Sequence, residues 1–228
     1  MLARVAALAL LAGMATSASA QTAASVTVES DYRFRGVSLS NLKPDLRVNL
    51  AHDDASGWYA GASGTRVQLD SQQRQAALFV YGGFARRALP GLAWEIGATA
   101  AHLGDGSRYD YGELFGGVIG QRWNARAYVS PSYFGSGTRT LYAELNGGLP
   151  LVPPLRLFGH VGALWRLSGG PSDDASRRAR SDVRVGLAAG VDAVELQLAW
   201  VRGDRSGLYP IAYGRQRSAW VLSAAYFF

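Results

Sequence analysis

The sequence predicts an all-β protein, a transmembrane antiparallel up-and-down β-barrel of about 12 strands. Three observations predict it. Residues 1–20 have the make-up of an export leader, the rest alternates apolar and polar residues in segments of about ten, and the last segment ends on an aromatic residue, Phe228.

The leader comes first. Arg4 supplies a positive start, Val5 to Ala15 is an apolar run, and Ala18-Ser19-Ala20 places small residues where a signal peptidase cuts. Crossing a bilayer takes roughly 20 apolar residues, so this run is too short to be a membrane helix. Cleavage after Ala20 would leave Gln21 first in a mature chain of 208 residues (228 − 20), and losing Arg4 lowers the formal charge from +6 to +5. That length suits one domain, 21–228, and no linker divides it. The chain has no cysteine, which excludes thiol redox chemistry. Its basic charge is almost all arginine, since Lys43 is the only lysine, and the isoelectric point is about 9.8. These arginines are scattered, often at alternate positions, rather than gathered into a patch with interleaved aromatics, which argues against a nucleic-acid partner.

Past residue 20 no stretch is long and apolar enough for a membrane helix, and helical periodicity is missing. Strand periodicity takes its place. In the first segment Val26, Val28, Ser30, Tyr32 and Phe34 share one face, against Thr27, Glu29, Asp31, Arg33 and Arg35. The second sets Leu46, Val48 and Leu50 against Asp45, Arg47 and Asn49. In the last, Trp220, Leu222, Ala224, Tyr226 and Phe228 oppose Arg217, Ala219, Val221 and Ser223. The full series of expected strands is 26–35, 44–52, 57–67, 74–85, 91–103, 108–119, 122–134, 138–148, 154–167, 181–191, 194–203 and 215–228. The facing of 74–85 and 108–119 stays open, because Phe79 and Tyr81 oppose the equally apolar Leu78 and Val80.

Connections alternate in length. The two longest run from Ser168 to Arg180 and from Gly203 to Gly214, while Ala88-Leu89-Pro90, Gly120-Gln121 and Asp192-Ala193 are short. Long outer loops, short periplasmic turns and an even strand number are the pattern of bacterial outer-membrane barrels. Trp58, Trp94, Trp123, Trp165, Trp200 and Trp220, with Tyr226, lie near expected strand ends, where an interfacial girdle belongs; Trp165 and Trp200 fall towards the outer rim. In hydrocarbon only a helix or a closed barrel pairs every backbone polar group, so the polar face is expected inside. The aromatic face formed by Trp220, Leu222, Tyr226 and Phe228 looks like the terminal signal read by the barrel assembly machinery.

The stretch Ser30-Asp31-Tyr32-Arg33-Phe34-Arg35-Gly36-Val37-Ser38, with Ser40 and Pro44 and then Gly57-Trp58-Tyr59-Ala60-Gly61, resembles the TorF family of porin-like proteobacterial proteins. The match covers about residues 26–67; it departs at Gly64-Thr65-Arg66-Val67, where that family carries a Ser-Asn-Val type of ending. The resemblance implies an outer-membrane barrel with a channel role and supplies no catalytic residues.

With the apolar face in lipid, the expected pore-lining residues are Glu29, Asp31, Arg33, Arg35, Arg47, Arg126, Glu144, Arg156, Arg166, Arg184, Glu195 and Arg217, together with Asn49, Glu95, Tyr128 and His160. One outcome is a water-filled eyelet that selects small ions or polar solutes, arginine favouring anions; the other is a lumen sealed by paired side chains. A non-conducting barrel whose outer loops bind a partner or lipopolysaccharide is the alternative function, with Arg177, Arg178 and Arg180 as candidate phosphate contacts beside Asp173 and Asp174.

Enzyme readings are weaker. His52-Asp53-Asp54 falls in a turn, and His102 has Asp105 and Ser107 nearby but no oxyanion donors. His160 faces the lumen with no serine or asparagine beside it by alternate spacing. Gly82-Gly83 and Gly116-Gly117 lack the following helix and Lys-Ser/Thr pair of a phosphate loop, and glycine here suits a tightly curved sheet. The expected partners are outer-membrane lipid and lipopolysaccharide, the assembly machinery and small solutes. No cofactor, metal or catalytic residue is expected, and the barrel should be a monomer or weak oligomer.

Overall fold

The computed structural model describes residues 21–69, 73–104, 106–169, 179–204, 208–211 and 217–228. The expected leader, Asp105, Asp173, Asp174, Arg177 and Arg178 lie outside them.

Twelve strands close into one antiparallel barrel: β1 (Gln21–Glu29), β4 (Asp45–Asp53), β5 (Trp58–Val67), β6 (Gln75–Leu89), β7 (Leu92–Leu103), β8 (Tyr111–Ile119), β9 (Trp123–Ser130), β10 (Arg139–Pro150), β11 (Leu155–Ser168), β12 (Ala179–Val191), β13 (Val194–Gly203) and β14 (Ser218–Phe227). Each pairs with the next in the chain, and β1 closes on β14 with Val26 opposite Tyr226. Two short strands, β2 (Arg33–Phe34) and β3 (Val37–Ser38), form a separate hairpin inside the β1–β4 connection. Short turns such as Asp192-Ala193 and both described chain ends lie at one end of the barrel, called here the turn end; the longer connections lie at the loop end.

The expected count of 12 holds, with shifted edges. The first strand ends at Glu29 rather than residue 35, because the chain then turns into the lumen. Residues Ser107–Tyr109 form a 3-10 turn rather than the start of a strand, and β9 stops at Ser130 before a second such turn at Tyr133–Gly135.

Period-two alternation places one apolar side chain outward and the next side chain inward. Leu46, Val48 and Leu50 stand exposed on the outer wall, as do Leu114, Leu196 and Leu222. A band of this kind suits acyl chains and not water. The two ambiguous segments resolve in the same way. Leu78, Val80, Leu114 and Val118 point out, while Phe79, Tyr81, Tyr111, Glu113 and Phe115 point in. Trp58, Trp94 and Trp123 are exposed near the turn end; Trp165, Trp200 and Trp220 share the outward face near the loop end, Trp200 directly across from Trp220.

Inward-facing rings need room, and lumenal glycines provide it. A Cβ on Gly61 would meet the Tyr81 ring at 2.3 Å, and one on Gly162 would meet the Tyr142 hydroxyl at 2.0 Å. Strand glycine therefore serves close packing of rings from the neighbouring strand on the inner wall as much as curvature.

Candidate functional site: a plugged lumen

The lumen is built differently at its two ends, and the β2–β3 hairpin marks the boundary. Arg35 and Gly36 occupy the two central positions of its turn with φ of 48° and 75°. That is the geometry of the two-residue hairpin turn that matches strand twist. Glycine adopts it freely; Arg35 does not, and its strained backbone has to be held by contacts.

Those contacts reach across the barrel. The Arg35 guanidinium makes two parallel hydrogen bonds to Glu113 of β8, at 2.9 and 2.7 Å. It also lies 3.9 Å from the centre of the Tyr142 ring of β10 and within 5.3 Å of those of Phe34, Tyr128 and Tyr133. Opposite, Gly36 abuts Gly203 of β13 and Asp182 of β12, so closely that an added Cβ would meet each at 2.7 Å. Asp31 organises the base of the loop. It accepts hydrogen bonds from Arg33 Nε at 2.6 Å and from the Ser38 and Ser40 hydroxyls, while Arg33 Nη1 donates to the Gly36 carbonyl at 2.9 Å. The motif at residues 30–38 thus encodes a folded plug rather than the end of a wall strand.

Around the hairpin the loop end is dry. Tyr32, Leu39, Val67, Leu69, Leu103, Tyr111, Tyr133, Phe134, Tyr142, Leu164, Leu208 and Tyr209 form one buried cluster, with Phe34 and Phe79 packed against it. Tyr32 and Phe34 belong to this inner cluster, not to the lipid face that alternation predicts, because the strand has already ended.

Below the hairpin lies a polar cavity of about 430 Å³ that extends towards the turn end. Arg33 and Arg35 line its roof; Arg122, Arg126, Arg156 and Arg184 line its sides with His160, Asp182, Asn124, Asn146, Gln197 and Phe158. The carboxylates that balance two of these arginines sit deeper. Arg126 bonds Glu95 at 2.6 Å, with its side chain 30% exposed against 1% for Glu95; Arg156 bonds Glu195 at 2.7 Å with 35% against 10%. Arg47 and Glu29 repeat the arrangement at 3.4 Å. The guanidiniums therefore face the water and the carboxylates back them against the wall. Arg184 donates to a neutral partner, Gln197, at 3.1 Å.

Of the residues that sequence alone placed in the lumen, Glu29, Arg47, Glu95, Arg126, Tyr128, Glu144, Arg156, His160, Arg184 and Glu195 project from the wall inward, and Tyr128 donates to Glu144 at 3.1 Å. Asn49 also faces in, donating to Ser25. Asp31, Arg33 and Arg35 are inside as parts of the plug. Arg166 is half-buried on the inner face of β11 at the loop end. Arg217 differs from the expected 215–228 strand. It precedes β14 and is exposed at the loop-end rim, with its carbonyl accepting from the Gly203 N–H. Arg180 also differs from expectation. It stands on β12, buried, and not on an exposed loop with Arg177 and Arg178.

His160 has partners that spacing along its own strand does not reveal. Asn146 lies directly across from it on β10, and its Oδ1 is 2.7 Å from His160 Nδ1. On the other side His160 Nε2 is 2.6 Å from Asp182 Oδ1, and the Tyr142 hydroxyl approaches both. Register between strands, invisible to spacing along one strand, makes this network. Glu113, Asp182, Asn124, Asn146 and Gln197 share the inward parity of residues already placed there, a signal present in the sequence; Glu113 is hidden by the aromatic Tyr111 and Phe115 on its face. Of the remaining histidines, His52 pairs with the Thr22 hydroxyl and His102 with Asp110, both exposed. Asp54 acts as a turn acceptor. The Ser56 hydroxyl and N–H both bond to it, holding its carboxyl below the usual range. At the chain end Trp220, Leu222, Tyr226 and Phe228 share the outer face, all exposed.

A closed 12-stranded barrel with an apolar outer band, a polar lumen and an inward-folded loop is a porin-like barrel. The chain belongs to the Gcw_chp family, described as bacterial protein of unknown function, whose model matches residues 14–220. No curated protein matches it. Among solved structures it is similar in fold to the NanC porin (10% identity, 88% of this chain and 98% of that one, TM-score 0.59). It is similar also to the KdgM porin (11% identity, 91% and 99%, TM-score 0.53), which has been solved in complex with disordered oligogalacturonate as well.

Proposed function

We propose that this protein is a narrow porin-like channel of the bacterial outer membrane that passes small anionic or polar solutes, with the β2–β3 hairpin setting its constriction. One observation carries the reading: in the Arg126–Glu95 and Arg156–Glu195 pairs the arginine lines the cavity and the carboxylate is buried behind it. A path lined in this way presents positive charge to a passing solute even where the pairs are neutral overall. The resemblance of residues 30–38 and 57–61 to TorF proteins and the fold shared with two porins support the channel role, and the carboxylate-bearing ligand of the KdgM porin fits an anionic solute. Export by the leader, recognition of the Phe228 strand during assembly and work as a monomer or weak oligomer without cofactor or catalysis belong to the same reading.

A second reading, a non-conducting barrel whose outer loops engage a partner or lipopolysaccharide, is favoured by the dry cluster at the loop end. Planar-bilayer recordings of the purified barrel separate the two. Discrete conductance steps with a reversal potential on the chloride side are expected. If neither the natural chain nor Arg35→Ala conducts, the channel reading fails and the second stands.

A further inference from the structure

The barrel wall opens near the loop end. Pairing between β4 and β5 runs from Asp53–Tyr59 to Val48–Gly64 and stops, although β4 continues back to Asp45 and β5 on to Val67. The same register would set Leu46 opposite Arg66. Instead Leu46 pairs only with Val28 of β1, and Arg66 only with Ala76 of β6. A side-chain bridge replaces the missing ladder. The Thr65 hydroxyl and the Arg74 guanidinium both bond the buried Asp45 carboxylate, and Arg74 also donates to the Pro44 carbonyl at 2.9 Å.

Outside this bridge is a notch of about 590 Å³. Val28 and Leu46, more than half exposed, supply apolar surface continuous with the lipid-facing band. Gly64 leaves the middle open, since nothing lies within 4 Å of where its Cβ would be. Arg66 and Arg74 line the notch, and Lys43 is exposed in the adjoining turn. Arg66 makes no hydrogen bond or ion pair among the described residues. A guanidinium without a polar partner among the described residues, at the loop end of β5 above an apolar recess, fits an anionic lipid better than a dissolved solute. The Thr65–Asp45–Arg74 bridge separates the notch from the lumen.

We propose that this notch binds one phosphorylated glycolipid of the outer leaflet, the lipid A part of lipopolysaccharide. An acyl chain would lie along Val28 and Leu46, and a phosphate would be held by Arg66, with Arg74 as second donor. The inference rests on the outer-membrane reading but not on conduction.

The test uses the full barrel in detergent, first checked for heat-modifiable migration on gels, and native mass spectrometry with four probes: bis-phosphorylated lipid A, dephosphorylated lipid A, phosphatidylglycerol and inorganic phosphate. One lipid A per barrel is expected. Binding should weaken at least about tenfold in Arg66→Gln and for the dephosphorylated lipid, the loss of one charge-assisted contact. Arg202→Gln, at an exposed position on β13, should bind as the natural chain does. Arg66 makes no side-chain hydrogen bond or ion pair among the described residues, so its replacement tests the lipid and not the fold; Arg74→Gln should weaken binding as well. Equal retention by Arg66→Gln, equal binding of dephosphorylated lipid A, phosphatidylglycerol bound as tightly, or retention of inorganic phosphate alone would overturn the proposal. A chain that stays monodisperse without detergent and shows no heat shift would instead overturn the outer-membrane reading beneath it.

Discussion

The two halves of the lumen are enclosed by the same twelve strands and differ in what those strands and one loop project inward. At the loop end, tyrosines and phenylalanines close around the hairpin, and Arg35 is a cation among them, tied to Glu113 and stacked on Tyr142. Towards the turn end, arginines stand in front of buried carboxylates around an open cavity. The lesson is that a barrel of 12 strands leaves a choice that its strand number does not make. Filling depends on whether a loop folds in and brings aromatic partners, and openness depends on long cations that can lie along the wall.

Breaking the plug should have the largest effect. Arg35→Ala would leave Glu113 buried and unpaired, a change that typically costs about 3–5 kcal/mol. The hairpin should then leave its seat, with a clear fall in unfolding temperature in detergent and a severalfold rise in single-channel conductance. Stability lost without any change in conductance would show that the hairpin does not set the constriction. A smaller effect is expected where the two halves meet. Asp182→Asn would strip the His160 and Tyr142 contacts of their charged partner, for about 1–3 kcal/mol, again read from thermal unfolding.

Changes confined to the open half should cost less stability, because these arginines are partly exposed and Gln197 still donates to Glu195, and should move selectivity. Arg156→Gln is expected to lower chloride preference by a factor of about two to five, the size of one screened charge beside a narrow path. Glu195→Gln should shift the reversal potential the opposite way. If both move it in the same direction, the order of charges along the cavity does not govern passage.

The smallest effect is expected at the outer rim. Burial raises the Asp110 carboxyl, but the hydrogen bonds with His102 and from the Leu103 N–H outweigh it and hold it below the usual range. A depressed carboxyl stabilises above its unfolded value, and that stability is lost as pH falls through the lowered one. The pair is exposed, so the contribution should stay within about 1 kcal/mol. Asp110→Asn should remove that part of the acid dependence of unfolding between neutral and acid pH.

How far the sequence could be read varies by residue. The outward row Leu46, Val48, Leu50 and the inward Arg47 and Asn49 follow from alternation alone and stand where it puts them. Asp31, Arg33 and Arg35 are also found inside, but for another reason. A tight hairpin alternates as a wall strand does, so spacing could not distinguish them, although Gly36 after Arg35 marks a turn. The inward parity of Asn146 and Asp182 was legible, but their meeting with His160 was beyond reach, because it is made between neighbouring strands by register.

By itself the sequence determined the period, and with it the two-faced strands, their number and the apolar band, since neighbouring side chains on a strand must leave opposite faces. Tertiary structure alone decided which loop turned inward, which residues met across strands and where β4 parted from β5. Each of these depends on contacts between residues far apart in the chain, which no local pattern encodes.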